Sequence, residues 1–466
     1  MFVPLTNVGL QNESNHTHTP SVRVTATLPR VPQVHLFDTE FGTHLLVVNG
    51  SRIYNVSSDI VARLAPAMEA RDSSRIDTIL TELDLMVAPY IDDEPPAEPP
   101  VRALSLAVSQ KCNLGCTYCY AQEGSFGATP KHMTLEVALA SVDLLLGSAA
   151  AGDRVNLAFL GGEPLANRRV LYATTAYASQ RAAERGISIT FSITTNGTLL
   201  TREDGDFFER YGFAVTLSLD GVGNVHDQLR SFKGGRASYD RIIERVMPLL
   251  RQQQRMQVSA RVTVTPLNLR LAETLDAFIG LGFHSVGFSP MLSSPTGRHE
   301  MNTPELEEML DQMIACGREF ERHIINGGRY PFLNMVNAMR EIHKGTHRPY
   351  ACGAGAGYFG VSADGDLAAC HRFVGDEAGA MGNLSEGLDR NRQSEWLAQR
   401  HVHRQEPCNS CWARYLCGGG CHHEVIQRGR PSCHYIRGWL HYCLQAYIRL
   451  SSTRPDYFTT AHLGMS

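Results

Sequence analysis

The sequence predicts an α/β protein whose main body is a partial (β/α)6 barrel, similar in plan to a TIM barrel. Two observations support this: strand and helix patterns alternate six times, and glycine or polar residues follow the strand ends. In such a sheet the functional loops gather at the carboxyl ends of the strands. The predicted strands are 103–109, 155–160, 187–194, 213–219, 257–264 and 284–289, and the helices between them are 134–147, 167–185, 201–210, 239–253 and 269–281.

The segments outside the barrel define four further regions. Residues 1–94 are predicted to form a small α+β module with strands 34–37, 44–48 and 52–56, an Asn49-Gly50 hairpin turn and a following helix. A proline-rich linker at 94–100 separates it from the rest. The remaining predicted boundaries are 101–300 for the barrel, 301–350 for a helical connector, 351–450 for a cysteine-rich domain and 451–466 for a tail.

Composition narrows the class of protein. The 466 residues carry a net charge of -4, which leaves no basic excess for a nucleic-acid backbone. The first twenty residues lack a signal-peptide pattern and no apolar run is long enough to span a bilayer, so a cytoplasmic protein is expected. In a reducing compartment, twelve cysteines are better explained as metal ligands than as disulfides.

The first cysteine group has the spacing C-x3-C-x2-C and begins just after the first barrel strand. Cys112, Cys116 and Cys119 could bind three irons of a cubane cluster and leave the fourth iron open. A zinc loop is the simpler alternative. The motif resembles the signature of the radical S-adenosylmethionine (SAM) superfamily, in which SAM chelates the open iron of a [4Fe–4S] cluster. The resemblance implies that a 5′-deoxyadenosyl radical forms and removes a hydrogen from substrate.

Three further motifs occur in the order of that superfamily, each at a predicted strand end. They are GGEP after strand two, TNG after strand three and SLDG after strand four. A scaffold without radical chemistry would not need this series, although each motif alone is compatible with an ordinary turn. By resemblance, the residues expected to contact SAM are Tyr118, Gly161, Gly162, Glu163, Asn196, Ser218, Asp220 and Arg230.

Seven more cysteines lie between Cys352 and Cys433. The run C-x2-C-x5-C-x3-C, with two cysteines upstream and one downstream, resembles the SPASM domain and its two auxiliary [4Fe–4S] clusters; zinc is the alternative. The resemblance implies one cluster on Cys408, Cys411, Cys417 and Cys433, and another on Cys352, Cys370 and Cys421. The second set is one ligand short, so either its cluster keeps an open iron or another residue, such as Cys443, completes it.

SPASM enzymes mostly modify peptides or proteins, with electrons from a reductant protein such as a flavodoxin or ferredoxin. The stretches 112–127 and 417–424 are most similar to the maturation proteins of quinohemoprotein amine dehydrogenase, which implies thioether bonds from Cys sulfur to Asp or Glu carbon in a small protein subunit or peptide. Anaerobic sulfatase maturases, which form formylglycine, are an alternative. Those enzymes place an acidic residue directly after the second auxiliary cysteine, where this sequence has His371. Another crosslinking maturase of ribosomal peptides, forming C–C or C–S bonds, is also open.

Two roles stay undecided from sequence alone. Four residues near the presumed cofactor loops are candidate general bases, each with a structural role as the alternative: His371, Asp227, Glu123 and Asp364. The N-terminal module resembles the leader-peptide recognition domains of peptide maturases, which bind the substrate as an added strand. The alternative is a structural cap over the barrel.

Overall fold

The computed structural model describes residues 33–86 and 94–459, so the start of the N-terminal module and the last residues of the tail lie outside the described residues. The module is a three-stranded antiparallel sheet followed by two helices. Ile60, Leu64, Ile76 and Leu80 of the helices pack on Val34, Leu45 and Tyr54 of the sheet. Its elements are β1 (Val34–Thr39), β2 (Gly42–Val47), β3 (Arg52–Val56), α1 (Ser58–Glu69) and α2 (Ser73–Glu82).

The central body contains the six predicted βα repeats, with strands paired in parallel in chain order. This confirms the predicted fold class. The strands are buried and rich in Val, Ile, Leu and Phe, as expected where helices cover a parallel sheet. They are β4 (Ala103–Ser109), β5 (Arg154–Gly161), β6 (Ser188–Thr195), β7 (Ala214–Ser218), β8 (Gln257–Val264) and β9 (Val286–Pro290).

Capping side chains and glycines set the ends of several helices between these strands. Thr134 accepts a hydrogen bond from a first-turn amide of the first helix, and Thr201 forms a capping box with Asp204. Gly212 and Gly282 end two helices in the left-handed conformation. The helices are α3 (Leu135–Gly147), α4 (Arg168–Glu184), α5 (Arg202–Tyr211), α6 (Asn224–Leu229), α7 (Tyr239–Gln252) and α8 (Leu271–Leu281).

The C-terminal third extends the same sheet. Strand β10 (Tyr358–Val361) pairs in parallel with β4, and three antiparallel strands follow it outward: β11 (Asp366–Ala368), β12 (Ala380–Asn383) and β13 (Gly387–Leu388). Strands β4 to β13 thus form one open ten-stranded sheet with β13 and β9 at its edges. The sequence predicted a separate cysteine-rich domain and gave no sign of this shared ladder.

Two long helices, α9 (Thr303–Ile325) and α14 (Cys433–Thr453), pack against each other beside the barrel. They meet around a buried ion pair in which Arg449 Nε donates to Glu321 at 2.6 Å. None of the described helices is long and apolar enough to cross a membrane. The other helices of this part are α10 (Leu333–His343), α11 (Arg390–Arg400), α12 (Arg414–Cys417) and α13 (His422–Arg428).

Candidate active site

The first cysteine group lies on the loop after β4, at the carboxyl edge of the parallel strands. Cys112, Cys116 and Cys119 are partly buried, and backbone hydrogen bonds to residues 229–231 hold the loop. Burial raises the pKa of Cys116 to about 12. The charge of Arg230 opposes this rise, whereas the other two thiols add to it. Such desolvated neighbouring thiols ionise where a cation such as cluster iron balances them, so the donor set fits an iron–sulfur cluster.

Two glycines at the end of β5 allow the cysteine loop to lie directly on the sheet. A Cβ on Gly162 would stand 2.9 Å from the Cys112 backbone nitrogen and closer still to the Lys111 carbonyl oxygen. Gly161 has a φ of +142°, and a Cβ there would overlap the Ser109 backbone. Only glycine permits this approach, which sets the position of Cys112.

Glu163 follows these glycines and is fully buried. Its carboxylate accepts hydrogen bonds from the Thr195 hydroxyl at 2.7 Å, the Asn196 backbone N–H at 2.8 Å and the Leu165 backbone N–H at 3.0 Å. Burial raises the pKa of Glu163, and these hydrogen bonds oppose the rise. The Asn196 side-chain amide lies 3.7 Å from Cys112 Sγ. Glu163 therefore joins the ends of β5 and β6 to the cysteine loop.

A buried network lies on the other side of the loop. The Tyr118 hydroxyl donates to Asp220, and Arg230 Nη1 donates to that hydroxyl at 2.7 Å. Burial raises the pKa of Asp220, and Arg230 opposes the rise. Ser218 ends β7, two residues before Asp220. Within the described part of the chain, Arg230 Nε is a buried donor without a hydrogen-bond partner.

A cavity of about 940 Å³ opens over the three cysteines. This volume lies within the range of roughly 300–1,000 Å³ that small-molecule and cofactor sites occupy. Its wall is basic, because it includes Lys111, Lys233 and Arg298 and a single carboxylate, Glu123, which pairs with Lys233 at 3.0 Å.

The structure arranges the remaining predicted cysteine ligands in two groups. In the first, burial raises the pKa of Cys408 to about 12, Arg430 opposes the rise, and three neighbouring thiols add to it: Cys417, Cys433 and Cys411. In the second, burial raises the pKa of Cys370 to about 12, and the thiols of Cys421 and Cys352 add to it. Both groups thus bring several thiols together, with Cys408 and Cys370 buried and Cys352 exposed, and thiolates are the ligands of iron–sulfur clusters.

The other two cysteines lie elsewhere. Cys443 is fully buried in α14 near Glu321, ten residues beyond Cys433 at the start of that helix. Cys316 is fully buried in α9. All twelve cysteines lie in the described part of the chain, and neither of these two joins the group of Cys352.

The four candidate bases have different surroundings. Asp227 accepts hydrogen bonds from two backbone amides at the start of α7, at 2.6 and 2.9 Å. Glu123 pairs with a lysine across the cavity described above, and Asp364 pairs with Lys131 at 2.6 Å on an exposed surface. His371 is interior: its Nδ1 lies 2.7 Å from the Tyr358 hydroxyl, and burial lowers its pKa to about 4.

His371 belongs to an aromatic wall between the first loop and Cys370 that the sequence did not reveal. Tyr120, which directly follows Cys119, meets the His371 ring edge-on at 5.9 Å between centroids. The Arg372 guanidinium lies 5.4 Å from the Tyr120 ring centroid and donates to Glu424 at 2.7 Å. The only sequence signal for this wall is that Tyr120 and Arg372 each lie within two residues of a cysteine.

The sequence matches the family model of the radical SAM superfamily over residues 106–251, the stretch that contains the first cysteine loop, the glycine pair and the Asp220 network. The chain contains a radical SAM domain. Such a domain binds SAM and a [4Fe–4S] cluster, so these are cofactors of the protein. Cys112, Cys116 and Cys119 are the residues that would hold the cluster here.

The relatives of this chain include curated maturases. It is 26% identical to a serine-type anaerobic sulfatase-maturating enzyme of Klebsiella aerogenes, over 70% of this chain and 81% of the relative. It is 23% identical to a cysteine-type anaerobic sulfatase-maturating enzyme of Clostridium novyi, over 69% of this chain and 88% of the relative. These relatives favour the sulfatase-maturase alternative over the quinohemoprotein assignment, which rests on sequence motifs alone.

Solved structures share the fold of this chain. That of anSMEcpe with bound AdoMet and a Cp18Cys peptide has a TM-score of 0.64 at 20% identity and covers 76% of this chain and 99% of that one. Streptococcus suis SuiB bound to its precursor peptide SuiA has a TM-score of 0.51 at 15% identity, and the match covers 86% of this chain and 97% of that one. At such identities the likeness concerns the fold alone.

Proposed function

We propose that this protein is a radical SAM maturase that oxidises a side chain of a peptide or protein substrate. The observation that carries the proposal is the contact between the rings of Tyr120 and His371, which brings the first cysteine loop and the group of Cys370 to either side of one aromatic wall. When bound, the cluster and SAM supply a hydrogen-abstracting 5′-deoxyadenosyl radical. The chain's residues orient the substrate beside it and exclude water.

The first candidate reaction is oxidation of a Cys or Ser side chain to formylglycine. Its support is the alignment with serine-type and cysteine-type anaerobic sulfatase-maturating enzymes over four-fifths or more of their lengths. In this reaction His371, directly after Cys370, stands at the sequence position where those maturases carry an acidic residue, and burial lowers its pKa to about 4.

The second candidate is thioether crosslinking between a substrate cysteine and an acidic residue. The observation that favours it is the set of Cys352, Cys370 and Cys421, which no further cysteine of the chain joins. Three thiolates leave one iron of a cubane cluster open, and a substrate thiolate can bind there. Formylglycine formation does not require such a bond.

Mass spectrometry separates the two reactions. Anaerobically reconstituted and reduced protein is incubated with SAM and peptides that contain Cys with Asp or Glu, beside matched peptides with Ser in place of Cys. Formylglycine appears as an aldehyde that reacts with a hydrazide, from either peptide. A thioether appears as the loss of two hydrogens and of one alkylatable thiol, only in the Cys peptide. If iron-loaded protein formed no 5′-deoxyadenosine with either, the proposed chemistry would be wrong.

The N-terminal module is proposed to recognise the substrate through β3. Within residues 33–86 and 94–459 this strand pairs with β2 on one side only, so its other edge can accept an added peptide strand. Hydrogen exchange tests this directly. Backbone amides of Arg52–Val56 should exchange more slowly when substrate is present, and unchanged exchange at saturating substrate would exclude recognition at this edge.

A further inference from the structure

The N-terminal module packs on the C-terminal domain. Val48, just after β2, is buried in one apolar cluster with Val402, Cys408 and Tyr415. Cys408 belongs to the four-cysteine group described above. A side chain of the module therefore touches the immediate surroundings of a proposed cluster ligand, although hundreds of residues separate the two in sequence.

A second contact lies beside the same group. The His35 ring stacks on Trp412 with 3.8 Å between centroids and 4° between planes. Its Nε2 lies 3.0 Å from Nδ1 of His441 in α14. Trp412 directly follows Cys411, and α14 starts at Cys433. His35 is therefore held between the two chain segments that carry these cysteines.

Hydrogen bonds also join the N-terminal module to the C-terminal domain. The buried Arg414 donates through Nη2 to the Gln33 side chain at 3.1 Å, and the Gly50 backbone N–H donates to His347 Nε2 at 2.6 Å. Ser51 and Asp38 make further hydrogen bonds to the C-terminal half. The module is thus held along β1 and along the turn between β2 and β3, and no strand of the described residues pairs with the outer edge of β3.

We propose that the N-terminal module forms an outer wall of the site of Cys408, Cys411, Cys417 and Cys433, packed behind Cys408 and Trp412. Val48 and His35 are the positioning residues of this wall and keep water from the cluster bound there. The inference rests on the proposed function, because it takes this group to hold an auxiliary iron–sulfur cluster. Reduction adds negative charge to a cluster, and water stabilises that charge. Removing either side chain therefore raises the midpoint potential of this cluster.

The test uses full-length, iron-loaded protein in an anaerobic redox titration followed by electron paramagnetic resonance. Val48→Ala and His35→Ala are compared with Phe41→Ala, which removes a half-exposed ring at the β1–β2 turn of the same module. Both wall variants should shift one auxiliary signal to higher potential while the signal of the SAM-binding cluster stays unchanged. The Phe41 variant should match the wild type.

Iron analysis covers the case in which a wall variant loses the cluster. Selective loss of the iron of one auxiliary cluster, with the SAM-binding cluster and the circular dichroism spectrum retained, would also support the wall. Wild-type iron content and unchanged potentials in both wall variants would overturn it. Wild-type protein that holds iron only on the first loop would instead overturn the auxiliary-cluster assignment, so the two failures are distinguishable.

Discussion

Replacing Gly162 with alanine tests whether the contact between β5 and the cysteine loop positions the cluster. The added Cβ would stand 2.9 Å from the Cys112 nitrogen, whereas ordinary contact begins at 3.4 Å, so the loop must move by about half an ångström there. It must move further at Lys111, where the overlap is greater. Because the φ of Gly162 lies outside the left-handed region, the penalty is steric, and overpacking of this kind costs about 1–3 kcal/mol.

The matched control is Gly280→Ala on α8, where an added Cβ would meet nothing within 4 Å. It should raise the free energy of unfolding by roughly 0.5–1 kcal/mol, because alanine restricts the unfolded chain more than glycine does. Urea unfolding measures both changes. Anaerobic assays of iron content and 5′-deoxyadenosine formation measure the site.

For the Gly162 variant we expect retained secondary structure and a loss of SAM cleavage of about tenfold or more, because displacements near an ångström at a reacting centre cost up to ~10²-fold. The Gly280 variant should cleave SAM at the wild-type rate. If Gly162→Ala kept both its iron and its cleavage rate, the glycine pair would not position the loop.

Three other predictions concern separate parts of the molecule. Cys433→Ala should lower the iron bound per chain, whereas Cys443→Ala should not, because Cys443 lies in the helical core. Elemental analysis of the two variants measures the bound iron. Asp204→Asn should lower the free energy of unfolding by about 2 kcal/mol, since it removes the charge of a buried carboxylate that accepts hydrogen bonds from the half-buried Arg168. The exposed Asp206→Asn should change little in the same urea titration. Burial lowers the pKa of His226 from 6.5 to about 3, so the unfolded chain takes up its proton first and stability falls as pH drops from 6.5 towards 3. Between pH 6.5 and 3, the free energy of unfolding should fall less steeply with decreasing pH in His226→Gln than in the wild type. Identical slopes in the two proteins would contradict this reasoning.

The sequence predicted those parts of the fold and site whose cause is local. Alternating strand and helix patterns gave the six βα units, and the spacing of Cys112, Cys116 and Cys119 gave a three-thiol loop after β4. The Asn49-Gly50 turn gave the hairpin between β2 and β3. In each case neighbouring residues determine the conformation, so one stretch of sequence contains the whole signal.

The contacts that sequence could not predict join distant segments. The parallel pairing of β10 with β4, the stacking of His35 on Trp412 and the hydrogen bond from Tyr118 to Asp220 each depend on how whole elements pack. No residue spacing records such contacts. The position of His371 was likewise hidden, since its neighbours Tyr120 and Tyr358 come from two other segments.

The ladder between β4 and β10 bears on how the protein can be divided for study. If residues 351–450 were removed, β4 would become an open sheet edge, with the unpaired backbone groups of Ala103–Leu106 exposed to other chains. Open, flat and apolar edges recruit further strands and promote aggregation. A barrel expressed alone would therefore be expected to aggregate, and soluble fragments would need either the neighbouring strand or charged substitutions along that edge.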